Sequence, residues 1–170
     1  MSGIVTTAQT TNLPTAALTR YTNGVGVQIG LTIYAAIGAT GTTVTATYTN
    51  ESGGSGRVTP LTNLGGASFN TARRFITLPL QSGDTGVQSV QNVTVTATTG
   101  TAGNFGVTLY KPLVMLSVPV VSQDFDWDAL FSLGANAPEI VDGACLFWMC
   151  LPLATASGGI QGELSFAETT

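Results

Sequence analysis

The stretch 25–37, VGVQIGLTIYAAI, sets Val25, Val27, Ile29, Leu31, Ile33 and Ala35 at alternating positions, the period-2 pattern of a half-buried strand. Stretch 42–49, TTVTATYT, repeats it with Val44, Ala46 and Tyr48 inward and Thr outward. The GATG between them predicts a tight hairpin. RRFITLPL (73–80) predicts a strand with Phe75 and Leu78 inward, and Pro79 marks it as an edge. In 87–99 the alternation runs through Val93, Val95 and Ala97 with Thr outside. Further strands are predicted in 105–121, interrupted at Pro112, and at 145–151 and 160–166. One segment, DWDALFSL (126–133), predicts a short helix, with Asp126 or Asp128 as cap and Gly134 as its end.

These elements predict an all-β fold: a jelly-roll or Ig-like β-sandwich of about eight strands, with turns at the spacing such folds use. Residues 1–24 are Thr-rich, polar and interrupted by Pro14, with neither strand alternation nor a helical stripe. They are set apart as an extended N-terminal arm that orders on a partner, ahead of a sandwich domain over 25–170.

Composition sharpens the picture. Of the 170 residues, 44% are hydrophobic and only 8% charged, against about 25% charged in an average soluble domain. The surface must therefore be covered by hydroxyls or by neighbouring subunits. The net charge is −4 with only five basic residues, which argues against nucleic acid, whose phosphate backbone demands a basic footprint. The N-terminus lacks the basic and apolar regions of a secretory signal. The longest apolar run, 144–154, is shorter than the roughly 20 residues that cross a bilayer, so no membrane is expected as a partner.

The chemistry-bearing residues form no recognisable constellation. His is absent, which removes Ser-His and Cys-His dyads. Cys145 and Cys150 would lie roughly 16 Å apart on a strand, beyond the about 7 Å that a disulfide allows, and read as small buried hydrophobes. Asp124, Asp126 and Asp128 alternate, but the Gly and Glu of an EF-hand loop are missing. Asp84 in SGDTG reads as a turn aspartate bonded to its own backbone. NESGGSG (50–56) lacks the Gly-Lys-Ser/Thr end of a phosphate-binding loop. No catalytic residue, metal or cofactor is expected. Trp148 sits in an apolar run and reads as core, whereas Trp127, between two Asp residues, is the candidate exposed ring. Arg57, Arg73 and Arg74 stand out because basic residues are scarce, and Arg suits interfaces. Together with Trp127 they are the candidate partner-binding residues.

Three motifs resemble a pattern in tailed-bacteriophage structural proteins: YTN-x-x-G-x-x-GR at 48–57, LQ-x-GDTGV-x-SV at 80–90, and GTAG-x-F-x-V-x-L-x-K-PL at 100–113. The resemblance covers roughly the middle 40% of the chain and implies a non-enzymatic virion protein, assembled in the host cytoplasm, without catalytic residues to carry over. Among such proteins, capsid decoration (cement) proteins include jelly rolls that lie across joints in the head shell. The implied partners are the major capsid protein or other virion subunits and further copies of the chain, as a dimer or higher. The contacts are expected through one of the least alternating apolar segments, 113–121 or 145–153. The alternatives are a tail, neck or head-fibre component, or a carbohydrate-binding or adhesin sandwich.

Overall fold

The computed structural model describes residues 4–66, 70–101, 103–115, 138 and 140–149. Within them the chain is all-β, with nine strands in two antiparallel sheets. β1 (Ile4–Val5), β9 (Asn104–Tyr110), β3 (Gln28–Ala35) and β7 (Phe75–Leu78) form one sheet in that order. β2 (Gln9–Asn12), β8 (Val87–Val95), β4 (Thr42–Asn50) and β5 (Arg57–Val58) form the other, with β6 (Thr62–Leu64) also paired to β4.

The core lies between the sheets. Ile29, Leu31 and Ile33 of β3, Ile76 and Leu78 of β7 and Phe105 of β9 share one buried cluster with Val44, Ala46 and Tyr48 of β4 and four valines of β8. β4 alternates strictly between buried and half-buried positions, as its sequence predicts. β8 does not. Its inward residues are Val87, Val90, Val93 and Val95, and the first three are three residues apart. Two register shifts against β4, between Thr47 and Tyr48 and between Thr49 and Asn50, account for this. Each bulge inserts one residue and re-phases the strand, so a spacing of three still puts valines on one face.

A shift in β3 between Ile33 and Ala35 likewise turns Ala35 outward, and Ala97, beyond the end of β8, is exposed rather than inward. In β7 the inward residues are Ile76 and Leu78. Phe75 lies on the outer face, where its ring covers Gly30; a methyl group there would sit 2.1 Å from the ring. Tyr34 covers Gly106 in the same way. Aromatic rings thus fill the two places where strand glycines leave the outer face of this sheet bare. Pro60 interrupts the edge of the other sheet, separating β5 from β6, and the buried Thr59 bridges the break. Its backbone amide donates to Ala46 O, and its hydroxyl accepts from Ala46 N–H, both at 2.9 Å.

The N-terminal segment forms strands at 4–5 and 9–12 with a bend between them, and it is laced into both sheets. Ile4 and Val5 pair with Phe105 and Asn104, and Gln9–Asn12 pairs with 92–95 of β8. Between them Thr6 is fully buried and joins Thr99 in a hydroxyl network: Thr99 Oγ1 donates to Thr6 Oγ1 at 2.9 Å and accepts from Gly38 N–H at 3.2 Å. Residues 13–24 form no strand, although Leu13 and Leu18 pack against the core. No strand is present in 145–149, where one was expected. The expected helix at 126–133 and strand at 160–166 lie outside the described residues.

Candidate functional site

Two of the three sequence motifs meet at Asp84. The hairpin 48–57 leaves β4 at Asn50 and returns to β5 through Gly53 and Gly56, whose φ values of +82° and +74° need glycine. Asn50 shapes this turn: its Oδ1 accepts Gly54 N–H at 2.8 Å. The loop 80–86 makes its own turn, with Asp84 N–H donating to Gln81 O at 3.0 Å. That leaves the Asp84 carboxylate aimed at the hairpin rather than at its own backbone, contrary to the turn-aspartate expectation.

Four hydrogen bonds converge on this carboxylate. Arg57 Nε and Tyr48 OH donate to Oδ2, at 2.9 and 2.5 Å. Arg57 Nη2 and Asn50 Nδ2 donate to Oδ1, at 3.0 and 2.8 Å. The Arg57 pair is bidentate, the strongest geometry for this ion pair, and the Asp84 side chain is 3% exposed. Tyr48 OH in turn accepts Gln81 N–H at 2.8 Å. Glu51 adds a second clasp, its Oε2 accepting the Thr85 and Gly86 amides at 3.2 and 3.0 Å.

The electrostatics follow from this geometry. Hydrogen bonds from Arg57 first, then from Tyr48 and Asn50, lower the Asp84 pKa to about 2. The bond to Asp84 raises the Arg57 pKa. Burial first, and then its bond to Asp84, raises the Tyr48 hydroxyl. Bonds from its own backbone amide and from Thr85 and Gly86 lower Glu51. Asp84 is therefore a fixed anion whose lone pairs are already occupied. Such a group clamps two loops together; it is not poised to exchange a proton with a substrate.

The other candidate residues do not join this cluster. Arg73 and Arg74 precede β7 in the opposite sheet, exposed, with Arg73 at φ +66° and the backbone of both bonded to Ile33. Trp127 and the acidic run at 124–128 lie outside the described residues. No group of three or more His, Cys, Asp and Glu able to hold a metal occurs among the described residues.

The structure departs from expectation most in 144–149. Cys145 is exposed rather than buried, and Trp148, expected in the core, is 65% exposed. Phe147 packs on Phe75 and Tyr110, with ring centroids 6.1 and 6.4 Å apart. Phe75 and Tyr110 meet edge to face at 5.1 Å. Leu146, Phe147 and Trp148 are exposed, as are Val114 and Met115 just beyond the end of β9. The two stretches converge where Phe147 meets Tyr110. Elsewhere Lys111 Nζ sits 4.4 Å from the Tyr21 ring centroid. Tyr48 is fully buried.

Compared with known proteins, the chain matches no family model, no curated protein and no solved structure. The class that the fold defines is a two-sheet antiparallel β protein.

Proposed function

We propose that this chain is a non-enzymatic structural component of a tailed-phage particle, a decoration (cement) protein that binds the outside of the head shell and stabilises it. One observation carries the proposal. Val114 and Met115 beyond the end of β9, and Leu146, Phe147 and Trp148, whose Phe147 ring packs on Tyr110, expose large apolar side chains, and exposed apolar surface of this kind marks a contact site. The chain is also poor in charge, as suits a subunit packed among neighbours.

The strand order supports a jelly-roll reading of the sandwich. First pairs with last (β1 with β9), second with second-last (β2 with β8), and β3 with β7. That nesting is what a long hairpin gives when it rolls up, and jelly rolls serve as viral capsid and lectin domains. In this reading residues 4–12 of the expected arm 1–24 serve as the first two strands of the roll, β1 and β2, rather than as a free tether. The motifs behind the phage resemblance fit a structural role as well, because Tyr48, Asn50, Arg57 and Asp84 join two loops.

A second reading, a glycan-binding module, draws on the same side chains through Trp148, since an exposed indole stacks on sugar rings. The test adds purified chain to phage heads stripped of it, comparing wild type with Met115→Ser/Trp148→Ser. Saturable cosedimentation lost in the double variant supports decoration. Binding to tails alone moves the chain to another part of the particle. Binding to a glycan array without binding to particles supports the second reading.

A further inference from the structure

Among the described residues the sandwich presents strand edges at β1, β2, β5, β6 and β7, and they are not equally protected. Free edges are commonly blunted by shortness, charge, proline or bulges. β1 is two residues long. β7 follows the exposed Arg73-Arg74 pair and ends at Pro79. β5 contains Arg57, and Pro60 separates it from β6. β2, Gln-Thr-Thr-Asn, carries no charge, no proline before Pro14 and no bulge in its register against β8.

The direction of its free groups can be worked out. Leu13 N–H donates to Gln91 O of β8 at 2.8 Å, so residues 9, 11 and 13 turn their backbone groups toward β8. Alternation along an antiparallel strand then points the N–H and C=O of Thr10 and Asn12 away from β8, at the open edge. Position 14 would point the same way, but Pro14 has no N–H and stops the ladder there.

We infer that β2 pairs antiparallel with β2 of a second copy of this chain, joining the two sheets into one across a two-fold axis. A self-complementary register exists. With Thr11 facing its own counterpart on the axis, Thr10 faces Asn12 of the other copy and Asn12 faces Thr10. All four outward-pointing groups on each copy then find partners, in four backbone hydrogen bonds. Like faces meet: Thr10, whose hydroxyl bonds Thr94 at 2.9 Å, continues the polar outer face into Asn12 of the other copy.

The occupant follows from charge and position. No charged residue stands between positions 4 and 19, so two chains of net charge −4 meet here without like charges in contact. β1 and β2 are joined by residues 6–8, so both edges lie on one side of the sandwich. Val5, 45% exposed beside β2, would be covered by the same contact. The inference rests on the proposed structural role, to which it adds contact between copies, and it uses a different surface from the exposed apolar side chains at 114–115 and 146–148.

The test is sedimentation equilibrium of the full chain. Thr10→Pro deletes the outward N–H and keeps the backbone bonds to β8, and Thr10→Lys places a charge on the edge; both also lose the hydroxyl bond to Thr94, so Thr10→Val, which loses only that bond, is the control. The wild type is expected to be a dimer. Thr10→Pro and Thr10→Lys should each raise the dimer dissociation constant about thirtyfold or more, with the far-UV circular dichroism of the folded sheets retained. Trp148→Ser, among the exposed apolar side chains, should leave the dimer intact. If Thr10→Pro fails to fold, Thr10→Lys decides. A monomeric wild type at about 0.1 mM, Thr10→Pro and Thr10→Lys variants that dimerise like the wild type, or a dimer lost in Trp148→Ser would overturn the inference. Loss of particle binding with the dimer intact would instead count against the decoration reading alone.

Discussion

Replacing Tyr48 with Phe removes one oxygen and nothing else. The ring keeps its buried place between the sheets, so no cavity term enters. The hydroxyl makes two hydrogen bonds, donating to Asp84 Oδ2 and accepting Gln81 N–H. A bond to a charged group contributes about 1.5–3 kcal/mol and a neutral one about 0.5–1.5. Asp84 Oδ2 keeps its bond from Arg57 Nε, so the carboxylate is not orphaned and the loss falls short of the upper sum. The expected destabilisation is about 2–3 kcal/mol, or about 4–12 °C in melting temperature for a chain of this size. Urea unfolding at neutral pH measures it, and an unchanged m-value would show that the unfolded state is the same.

The pH dependence adds a second readout. Asp84 titrates near 3.8 when unfolded and at about 2 when folded. A carboxylate depressed on folding contributes stability that is full above its unfolded value, falls as pH drops through the interval, and vanishes below the folded value. Losing the Tyr48 bond moves the folded value of Asp84 back toward 3.8. The gap between wild type and variant should therefore be constant above about pH 5 and narrow as pH falls toward about 2. A loss below about 0.5 kcal/mol, or a gap independent of pH down to about 2, would refute the clamp.

Further expectations concern the loops and the surface. A methyl group on Gly86 would meet Gly24 O at 2.0 Å, backbone against backbone, so Gly86→Ala should cost about 2–3 kcal/mol by chemical denaturation. Gly41 has open space around it, and Gly41→Ala should be neutral or stabilising by up to about 1 kcal/mol. Thr99→Val keeps the shape but strips the hydroxyl that bonds Thr6 and Gly38, and should lower stability by about 1–3 kcal/mol in the same assay. Cys145, being exposed, should react with a maleimide in the native protein without denaturant; protection equal to that of a buried thiol would contradict its position.

How far the sequence reveals this molecule varies by element. β4 alternates without interruption, and its inward Val44, Ala46 and Tyr48 are plain from the pattern alone. β8 is harder, because two bulges convert a valine spacing of three into a single face, and a search for strict alternation catches only Val93 and Val95. β1, β2, β5 and β6 are two to four residues long, too short for any period to register. β1 and β2 exist because β9 and β8 offer edges to pair with, a tertiary effect.

The clamp was half visible. The motifs 48–57 and 80–90 stand out, but Arg57 and Asp84 are 27 positions apart, and only the fold brings them together. In 144–149 apolar composition misleads. Periodicity and hydrophobicity cannot distinguish a run that faces the core from one that faces outward, and Trp148 belongs to the second kind.

The central proposal, that this chain is part of a phage particle, is tested most directly by quantitative mass spectrometry of purified mature particles from cells expressing its gene within the phage genome. The account predicts the chain in the particles, at a fixed ratio to the major capsid protein and retained through density-gradient purification. Its presence in the lysate together with its absence from the purified particles would contradict the account.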